Sequence, residues 1–229
     1  MLVLFDVDAT LISTAGVGMR ALEAAGKLLH GESFDAASTE YAGRLDPLIF
    51  GDLLTNNRVE PTAEALAALR RGYAEQLKVL LAEPGIASVL PGVPALLDRL
   101  AGVDGLVVGL LTGNFPETGA IKLEACGLEL DRFVIKVWGD ESPHDPPARE
   151  HLPPVAMDRY QELTGSALDP SRGVVIGDTA HDISCAQASG LRALAVATGY
   201  FDVQALSAAD WAVPDLSDTD AVTRWILDH

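Results

Sequence analysis

The sequence predicts an α/β fold, with a Rossmann-like parallel sheet, helices on both of its faces and an inserted all-helical cap domain. Short apolar runs typical of buried strands alternate with longer segments of helical periodicity. One long stretch, from about residue 14 to residue 84, has helical patterns and no convincing strand. Acidic or hydroxyl side chains directly follow several of the apolar runs, which is where parallel α/β sheets bind ligands.

Five apolar runs are predicted as strands because they are short and bounded by turn residues: residues 2–7, 106–111, 133–138, 173–176 and 194–197. Four segments between them are predicted as helices: residues 93–100, 115–126, 155–163 and 181–188. Asn114 is the expected N-cap of the second of these helices, with Glu117 three residues later. Strands that alternate with helices in this way indicate a parallel sheet.

The helical stretch predicts three helices, over residues 19–29, 47–54 and 62–81. Its flanks, Ala15-Gly16 and Pro84-Gly85, resemble hinges. The predicted domains are therefore a catalytic core of residues 1–14 and 85–229 and a helical cap of residues 15–84. A cap inserted after the first strand would lie above the strand ends as a lid. The alternative is a packed helical subdomain that does not move.

Composition limits the possible functions. The chain has 229 residues, of which 48% are hydrophobic, and a formal net charge of −17. This acidity argues against nucleic acid or an anionic membrane as a partner. No apolar run approaches the roughly 20 residues that cross a bilayer, and the first residues lack the pattern of a signal peptide. We therefore expect a cytoplasmic protein with no obligatory protein partner evident.

Asp6 and Asp8 stand at the end of the first predicted strand. Positions two apart on a strand face the same side, so both carboxylates are expected to point together. Two acids in an apolar segment are unfavourable unless a cation or hydrogen bonds compensate them. Mg²⁺ prefers oxygen ligands and would fit there.

A second acidic group follows the strand at residues 173–176, where Asp178 and Asp182 occur. In a parallel sheet, Asp178 and Asp6 emerge at the same edge, so three carboxylates converge if the two strands are neighbours. Asp182 has an equally weighted second interpretation, as the partner of Thr179 in a capping box, and both can hold together.

A third group, Thr112-Gly113-Asn114, follows the strand at residues 106–111. A hydroxyl group, a glycine turn and the start of a helix form a pocket in which backbone N–H groups can bind an anion. The alternative for Thr112 is an ordinary turn residue.

These groups resemble the motifs of the haloacid dehalogenase superfamily, in its phosphatase branch with a helical cap, which includes phosphoglycolate phosphatases. The family's first motif is Asp-x-Asp-Gly-Thr, here Asp6-Val7-Asp8-Ala9-Thr10, and its second is a Thr or Ser, here Thr112. Its fourth is Gly-Asp-x-x-x-Asp, here Gly177, Asp178 and Asp182. An acid at the position of Asp8 is absent from the dehalogenase branch, so its presence favours phosphoryl chemistry.

The resemblance implies a role for each residue. Asp6 would attack phosphorus and become an aspartyl-phosphate, and Asp8 would protonate the leaving oxygen and then help to activate water. Asp6, the main-chain carbonyl of Asp8 and Asp178 would hold Mg²⁺. Asp182 would act through water or by supporting a ligand. Thr112, with nearby amides such as those of the following residues, would bind phosphoryl oxygens.

The chain departs from the family pattern at two positions. Ala9 stands where the family usually has Gly, and no Lys-Pro occurs where the family's third motif has a Lys. Arg149 is the best substitute for that Lys, whereas Lys136 comes earlier, within a predicted strand. In the cap, Arg44 and Arg20 are candidates for binding a carboxylate or a second anionic group of the substrate; taken singly, each is more simply a surface residue.

The function expected from the resemblance is Mg²⁺-dependent hydrolysis of a small phosphorylated metabolite, a phosphate monoester, through an aspartyl-phosphate. A phosphomutase of a sugar phosphate is one alternative. The departures at Ala9 and at the third motif leave a second alternative, a weakly active protein that binds phosphate and metal.

Overall fold

The computed structural model describes residues 1–37 and 39–228, and in them it confirms the expected α/β fold. The strands are β1 (Leu2–Phe5), β2 (Ile12–Ser13), β3 (Ser88–Val89), β4 (Val107–Leu111), β5 (Ile135–Val137), β6 (Gly173–Gly177), β7 (Arg192–Val196) and β8 (Trp211–Val213). The main sheet has the order β5-β4-β1-β6-β7-β8 and its strands pair in parallel. The first strand therefore lies at the centre, between β4 and β6.

The helices agree with most of the sequence predictions. They are α1 (Val17–His30), α2 (Asp46–Asn56), α3 (Ala63–Leu81), α4 (Val93–Ala101), α5 (Pro116–Ala125), α6 (Leu152–Thr164), α7 (Ala180–Ala188) and α8 (Thr219–Leu227). β8 and α8 were not expected from the sequence. None of the described helices is both long and apolar enough to cross a bilayer. The cytoplasmic location stays a prediction.

The central strand is buried on both faces, which explains its unbroken apolar sequence. Val3 and Phe5 point into a cluster that includes residues of α4, α5 and α8. Leu2 and Leu4 point into the opposite cluster, which includes residues of α6 and α7. This alternation follows from the period of two along a strand. Helices consequently cover both faces of the sheet.

The inserted helices α1–α3 pack around an apolar cluster of their own. Phe115, at the start of α5, belongs to the same cluster and so joins the insertion to the core. The chain enters and leaves the insertion through β2 and β3, which pair antiparallel. Gly16 and Gly85 lie between these strands and the helices, with φ angles of 74° and 80°. These glycines lie beside the predicted division at residues 14–15 and 84–85, and both the domain bounds and movement of the cap stay predictions.

The register of the sheet brings the motifs to one edge. Phe5 pairs with Leu110 in β4 and with Ile176 in β6. Asp6 is one residue beyond Phe5, and Thr112 and Asp178 are two residues beyond their own partners in the register. All three therefore emerge at the carboxyl end of the central strands, where parallel sheets bind ligands.

Candidate active site

Three buried carboxylates meet at this edge. Asp6 follows β1, Asp178 follows β6 and Asp182 lies in the first turn of α7, and one carboxylate oxygen from each lies within 4.8 Å of the other two. The sequence prediction that Asp6 and Asp178 converge therefore agrees with the structure. Like charges this close, away from water, are unfavourable without compensation.

Asp182 is held by two partners. Its Oδ2 accepts a hydrogen bond from the Thr179 backbone N–H (3.0 Å), as in the predicted capping box, and another from the Thr179 hydroxyl (2.7 Å). Its Oδ1 accepts a hydrogen bond from Arg149 Nη2 at 2.5 Å. Because both oxygens are engaged, Asp182 is better placed to orient its neighbours than to bind a cation directly.

Arg149 lies in a 3₁₀ turn, Arg149–His151, and its side chain is buried against the acids. Besides Asp182, its Nη2 lies 3.2 Å from Asp6 Oδ1, and its Nη1 donates to the Gly43 carbonyl of the cap at 3.1 Å. Burial lowers the pKa of Arg149, but the two carboxylates outweigh it and the net shift is upward. A permanent cation thus stands beside Asp6, as expected of a substitute for the family's third motif.

The remaining acid, Asp178, has no such partner. Among the residues that the structure describes, no Lys, Arg or His lies within ion-pair distance of its carboxylate. Burial, followed by the charges of Asp6 and Asp182, raises the pKa of Asp178 to about 8. Burial likewise raises the pKa of Asp6 to about 6, although Arg149 opposes the shift. The cluster therefore lacks positive charge at Asp178, and an oxygen-ligated divalent cation would supply it.

Gly199 fits closely against Asp178. A Cβ atom at this position would lie 1.9 Å from Asp178 Oδ2. The loop after β7 therefore needs glycine there, because any side chain would displace the carboxylate.

Asp8 has a cation of its own, Lys122 of α5. Lys122 Nζ donates hydrogen bonds to Asp8 Oδ2 (2.7 Å) and to Asn114 Oδ1 (2.6 Å). Asn114 Nδ2 donates to Asp8 Oδ2 (2.8 Å) and to the Thr112 hydroxyl (2.9 Å). Burial lowers the pKa of Lys122, but the opposing effect of Asp8, Tyr73 and Asp46 is larger. The net result is a pKa well above the usual range of a lysine. This network fixes Asp8 beside the second motif.

The prediction that Asn114 caps α5 is wrong. Phe115 occupies the N-cap position, with no hydrogen bond from a side chain to the helix. The physical reason is competition, because the Asn114 amide is used by Thr112, Asp8 and Lys122.

Lys122 was missed by the sequence reasoning, although a signal was present. It comes four residues after Thr118 in α5, so both face the same side of the helix, and both are buried. A lysine on the buried face of a short helix needs an acidic partner. The sequence alone did not show that this partner is Asp8.

Thr112 and Gly113 lie where a phosphoryl group would be expected. The Thr112 side chain is fully buried, and its backbone N–H donates to the Val137 carbonyl at 3.1 Å. Gly113 faces the cap, and a Cβ there would lie 2.1 Å from the Arg44 carbonyl oxygen. The cap backbone thus approaches the second motif closely only because residue 113 is glycine.

Ala9 adopts a left-handed conformation, with φ of 55°. Such a conformation costs an L-residue other than glycine about 1–2 kcal/mol. The Ala9 N–H donates to the Ile12 carbonyl at 2.8 Å, and the Thr198 hydroxyl donates to the Ala9 carbonyl. Local hydrogen bonds therefore hold an alanine where the family usually has glycine, and the backbone is strained as a result.

The two cap arginines differ in position. Arg44 lines the cavity, but its Nη2 pairs with Asp52 Oδ2 at 2.6 Å. Arg20 is exposed on α1 and is not among the described residues that line the cavity. The proposed contact of each with substrate stays a prediction, and the geometry gives Arg20 no support.

A buried acid in the cap, Asp46, was not singled out from the sequence. Its Oδ2 accepts hydrogen bonds from the Phe115 backbone N–H (2.9 Å) and the Thr118 hydroxyl (3.3 Å). Burial raises the pKa of Asp46 to about 6, and nearby Lys122 opposes the shift. Asp46 therefore docks the cap onto the start of α5.

Most of these groups border one cavity between the cap and the sheet edge, with a volume of about 410 Å³, although Asp182 and Arg20 are not among the described residues that line it. This volume lies within the range of about 300–1,000 Å³ that is usual for small-molecule sites. The carboxylates of Asp6, Asp8 and Asp178 thus share one space with the Thr112 hydroxyl and the backbone of residues 112–114. Such a site suits hydrolysis of a small anionic ester.

Comparison with known proteins gives the family. The sequence profile described as haloacid dehalogenase-like hydrolase matches residues 3–187. Protein CbbY from Rhodobacter capsulatus is 27% identical over 93% of this chain and 92% of its own length. A phosphoglycolate phosphatase from Neisseria meningitidis is also 27% identical, over 93% of this chain and 87% of its own. A hydrolase structure from Pseudomonas syringae superposes with a TM-score of 0.74 at 21% identity, with 98% of each chain covered.

The chain therefore belongs to the haloacid dehalogenase-like hydrolases, and the resemblance stated from its motifs is confirmed. The expected enzyme class, a phosphoric monoester hydrolase of this family, agrees with the names of the relatives.

Proposed function

We propose that this protein hydrolyses a small phosphate monoester with the help of Mg²⁺, through an aspartyl-phosphate formed on Asp6. The observation that carries the proposal is the placement of Asp6 within 4.8 Å of Asp178, in the cavity that Asp8 and Thr112 also line. One space thus contains a nucleophile, a second acid and a deficit of positive charge.

The donor set fits magnesium. Asp6, the main-chain carbonyl of Asp8 and Asp178 would hold the ion, and Asp182 would orient this group through Arg149 and Thr179. All of these donors are oxygen atoms, as Mg²⁺ requires, and the uncompensated Asp178 is the carboxylate that gains most from a cation. When bound, the ion supplies positive charge against the phosphoryl oxygens.

Different side chains carry out different parts of the proposed reaction. The Asp6 carboxylate attacks phosphorus, so a bond forms from its oxygen while the ester oxygen leaves. Asp8 gives a proton to that oxygen, then accepts one from the water that cleaves the aspartyl-phosphate. The Thr112 hydroxyl and the adjacent backbone N–H groups bind the phosphoryl oxygens, and Arg149 stabilises negative charge beside Asp6.

The relatives support a phosphorylated metabolite as the substrate class. The Neisseria meningitidis relative is named phosphoglycolate phosphatase, and a relative from Bacillus pumilus is named a pyrophosphatase. These names differ in substrate while the family is shared, so the family alone does not fix the ester that this chain cleaves.

The proposal is tested by phosphate release from p-nitrophenyl phosphate, measured with Mg²⁺ and with EDTA. We expect release with Mg²⁺ only, loss of turnover in Asp6→Asn, and a phosphorylated Asp6 peptide by mass spectrometry after an acid quench. Asp158→Asn, the same change at an exposed position of α6, should leave turnover unchanged. Calorimetry should also detect Mg²⁺ binding in the absence of substrate.

Full turnover in EDTA or in Asp6→Asn would contradict the proposal. Transfer of the phosphoryl group back to a sugar, with a requirement for a bisphosphate, would indicate a phosphomutase instead.

A further inference from the structure

The cations around the cavity are already paired. Arg44, Lys122 and Arg149 are the cationic side chains among the described residues that line it. Arg44 pairs with Asp52, Lys122 with Asp8, and Arg149 with Asp6 and Asp182. Arg149 and Lys122 pair with the acids of the reaction centre. Arg44 is therefore the cavity-lining cation that could bind a second anionic group of the substrate.

Arg44 is held away from that role by two contacts within the cap. Its Nη2 lies 2.6 Å from Asp52 Oδ2, and its Nη1 donates to the Glu40 carbonyl at 3.3 Å. Asp46, which also lines the cavity, adds a carboxyl group on the cap side. A carboxylate or second phosphate on the leaving group would meet this acid without a free cation to balance it.

Apolar side chains also line the cap side of the cavity. Leu22 and Ile49, both buried, line it from α1 and α2. Met19 and Tyr200 also line it and yet remain exposed, at 44% and 90%. Exposed apolar side chains at the mouth of a cavity mark a site where an apolar group binds.

We propose that the alcohol released by this enzyme is uncharged and carries an apolar body, aromatic or aliphatic, which Met19 and Tyr200 cover at the mouth of the cavity. This inference rests on the proposed phosphomonoester hydrolysis and specifies its leaving group. It separates this chain from a phosphatase whose ester carries a second carboxylate.

The first test compares phenyl phosphate with 4-carboxyphenyl phosphate, which differ by one negative charge and release phenols of similar acidity. We expect kcat/KM to be at least about tenfold lower for the carboxylated ester. Equal values, or a preference for the carboxylated ester, would overturn the inference.

Binding of phenylphosphonate and 4-carboxyphenylphosphonate, measured by calorimetry with Mg²⁺, gives the same comparison without turnover. A preference for phenylphosphonate without hydrolysis of any ester would refute the proposed function and retain the inference about the ligand. Hydrolysis with a preference for the carboxylated analogue would retain the proposed function and refute the inference.

Asp52→Asn tests the explanation for Arg44. The Asp52 side chain is 50% exposed, and releasing Arg44 from it should raise kcat/KM for 4-carboxyphenyl phosphate about fivefold, with phenyl phosphate unchanged. Asp98→Asn, which breaks a comparable surface pair with Arg132, is the matched control and should alter neither ester. An unchanged ratio in Asp52→Asn would contradict the role given to Arg44.

Met19→Ala and Tyr200→Ala test the apolar contact. Each should lower kcat/KM about fivefold for phenyl phosphate and leave methyl phosphate unchanged, because the methyl group is too small to reach them. Leu28→Ala, an exposed apolar residue of α1 away from the cavity, is the control. Equal losses for both esters would indicate a structural effect and would refute the proposed contact.

Discussion

Lys122→Met removes the buried ammonium group that links Asp8 to Asn114 and leaves a side chain of similar length and apolar stem. Two hydrogen bonds are lost, one of 2.7 Å to Asp8 Oδ2 and one of 2.6 Å to Asn114 Oδ1. Both the stability of the fold and the position of Asp8 should respond.

The expected loss of stability depends on whether Asn114 and Asp8 find other hydrogen-bond partners once the ammonium group is removed. The buried Asn114 amide oxygen loses its donor, which costs about 1–3 kcal/mol. Asp8 is 43% exposed at its side chain, so water can replace much of the lost pairing, and the penalty of about 3–5 kcal/mol for breaking a fully buried pair does not apply in full. We expect the free energy of unfolding to fall by about 2–4 kcal/mol, which lowers Tm by roughly 5–15 °C in a chain of this size.

Activity should fall more for poor leaving groups than for good ones. Without Lys122, Asp8 is no longer held beside the second motif, and a general acid contributes about 10²–10⁴ to the rate. We expect kcat for phenyl phosphate to fall about 100-fold. The loss for p-nitrophenyl phosphate should be smaller, because p-nitrophenolate leaves with little need of a proton.

The assays are thermal unfolding by circular dichroism and steady-state phosphate release. Lys78→Met makes the same change on the exposed face of α3 and should alter stability by less than about 0.5 kcal/mol. Equal loss of kcat for both esters, or a Tm within 2 °C of the unaltered protein, would refute the reasoning that Lys122 positions Asp8.

Ala9→Gly should raise the free energy of unfolding by about 0.5–1 kcal/mol in denaturant titrations, because release of left-handed strain exceeds the added freedom of the unfolded chain; a lower stability would contradict this. Gly199→Ala should weaken Mg²⁺ binding about 10–100-fold by calorimetry, since the new Cβ meets Asp178, and Gly51→Ala, which meets no atom within 4 Å, should leave it unchanged. Asp46→Asn tests the burial of that carboxyl group. The pKa of Asp46 is about 6 in the folded protein against a usual 3.8, so its ionisation favours unfolding as pH rises from about 4 to 6. The stability of Asp46→Asn relative to the unaltered protein should therefore increase by up to about 3 kcal/mol over that interval, and a difference independent of pH would refute the burial argument.

The strands and motifs of the core could be predicted because local sequence determines them. Residues 2–5 are all apolar since β1 is buried on both faces, whereas the sequence left open whether β6 is a neighbour of β1, which the structure shows it is. β8 was missed because Trp211–Val213 has three residues, only one of them fully buried, which is too short for a periodicity to show.

The site was only partly predictable because its ion pairs join distant segments. Lys122 lies 114 residues from Asp8 in sequence, and Arg149 lies 33 residues from Asp182. No local pattern gives such pairs, whereas the capping box of Thr179 and Asp182 spans one helical turn and was predicted. Asn114 shows the converse, since a local capping rule was overridden by partners brought from elsewhere in the fold.

The distribution of charge explains how a chain with a net charge of −17 can accept a phosphate ester. Arg149 compensates Asp6 and Asp182, and Lys122 compensates Asp8, so each acid in the reaction centre except Asp178 has a cation from the chain itself. The unbalanced charge is thereby confined to one carboxylate. A divalent ion there would neutralise Asp178 and leave positive charge for the phosphoryl group, whereas Arg44, the cation that lines the cavity from the described part of the cap, is already paired with Asp52. Affinity for the phosphate and discrimination against a second anionic group would then have the same origin.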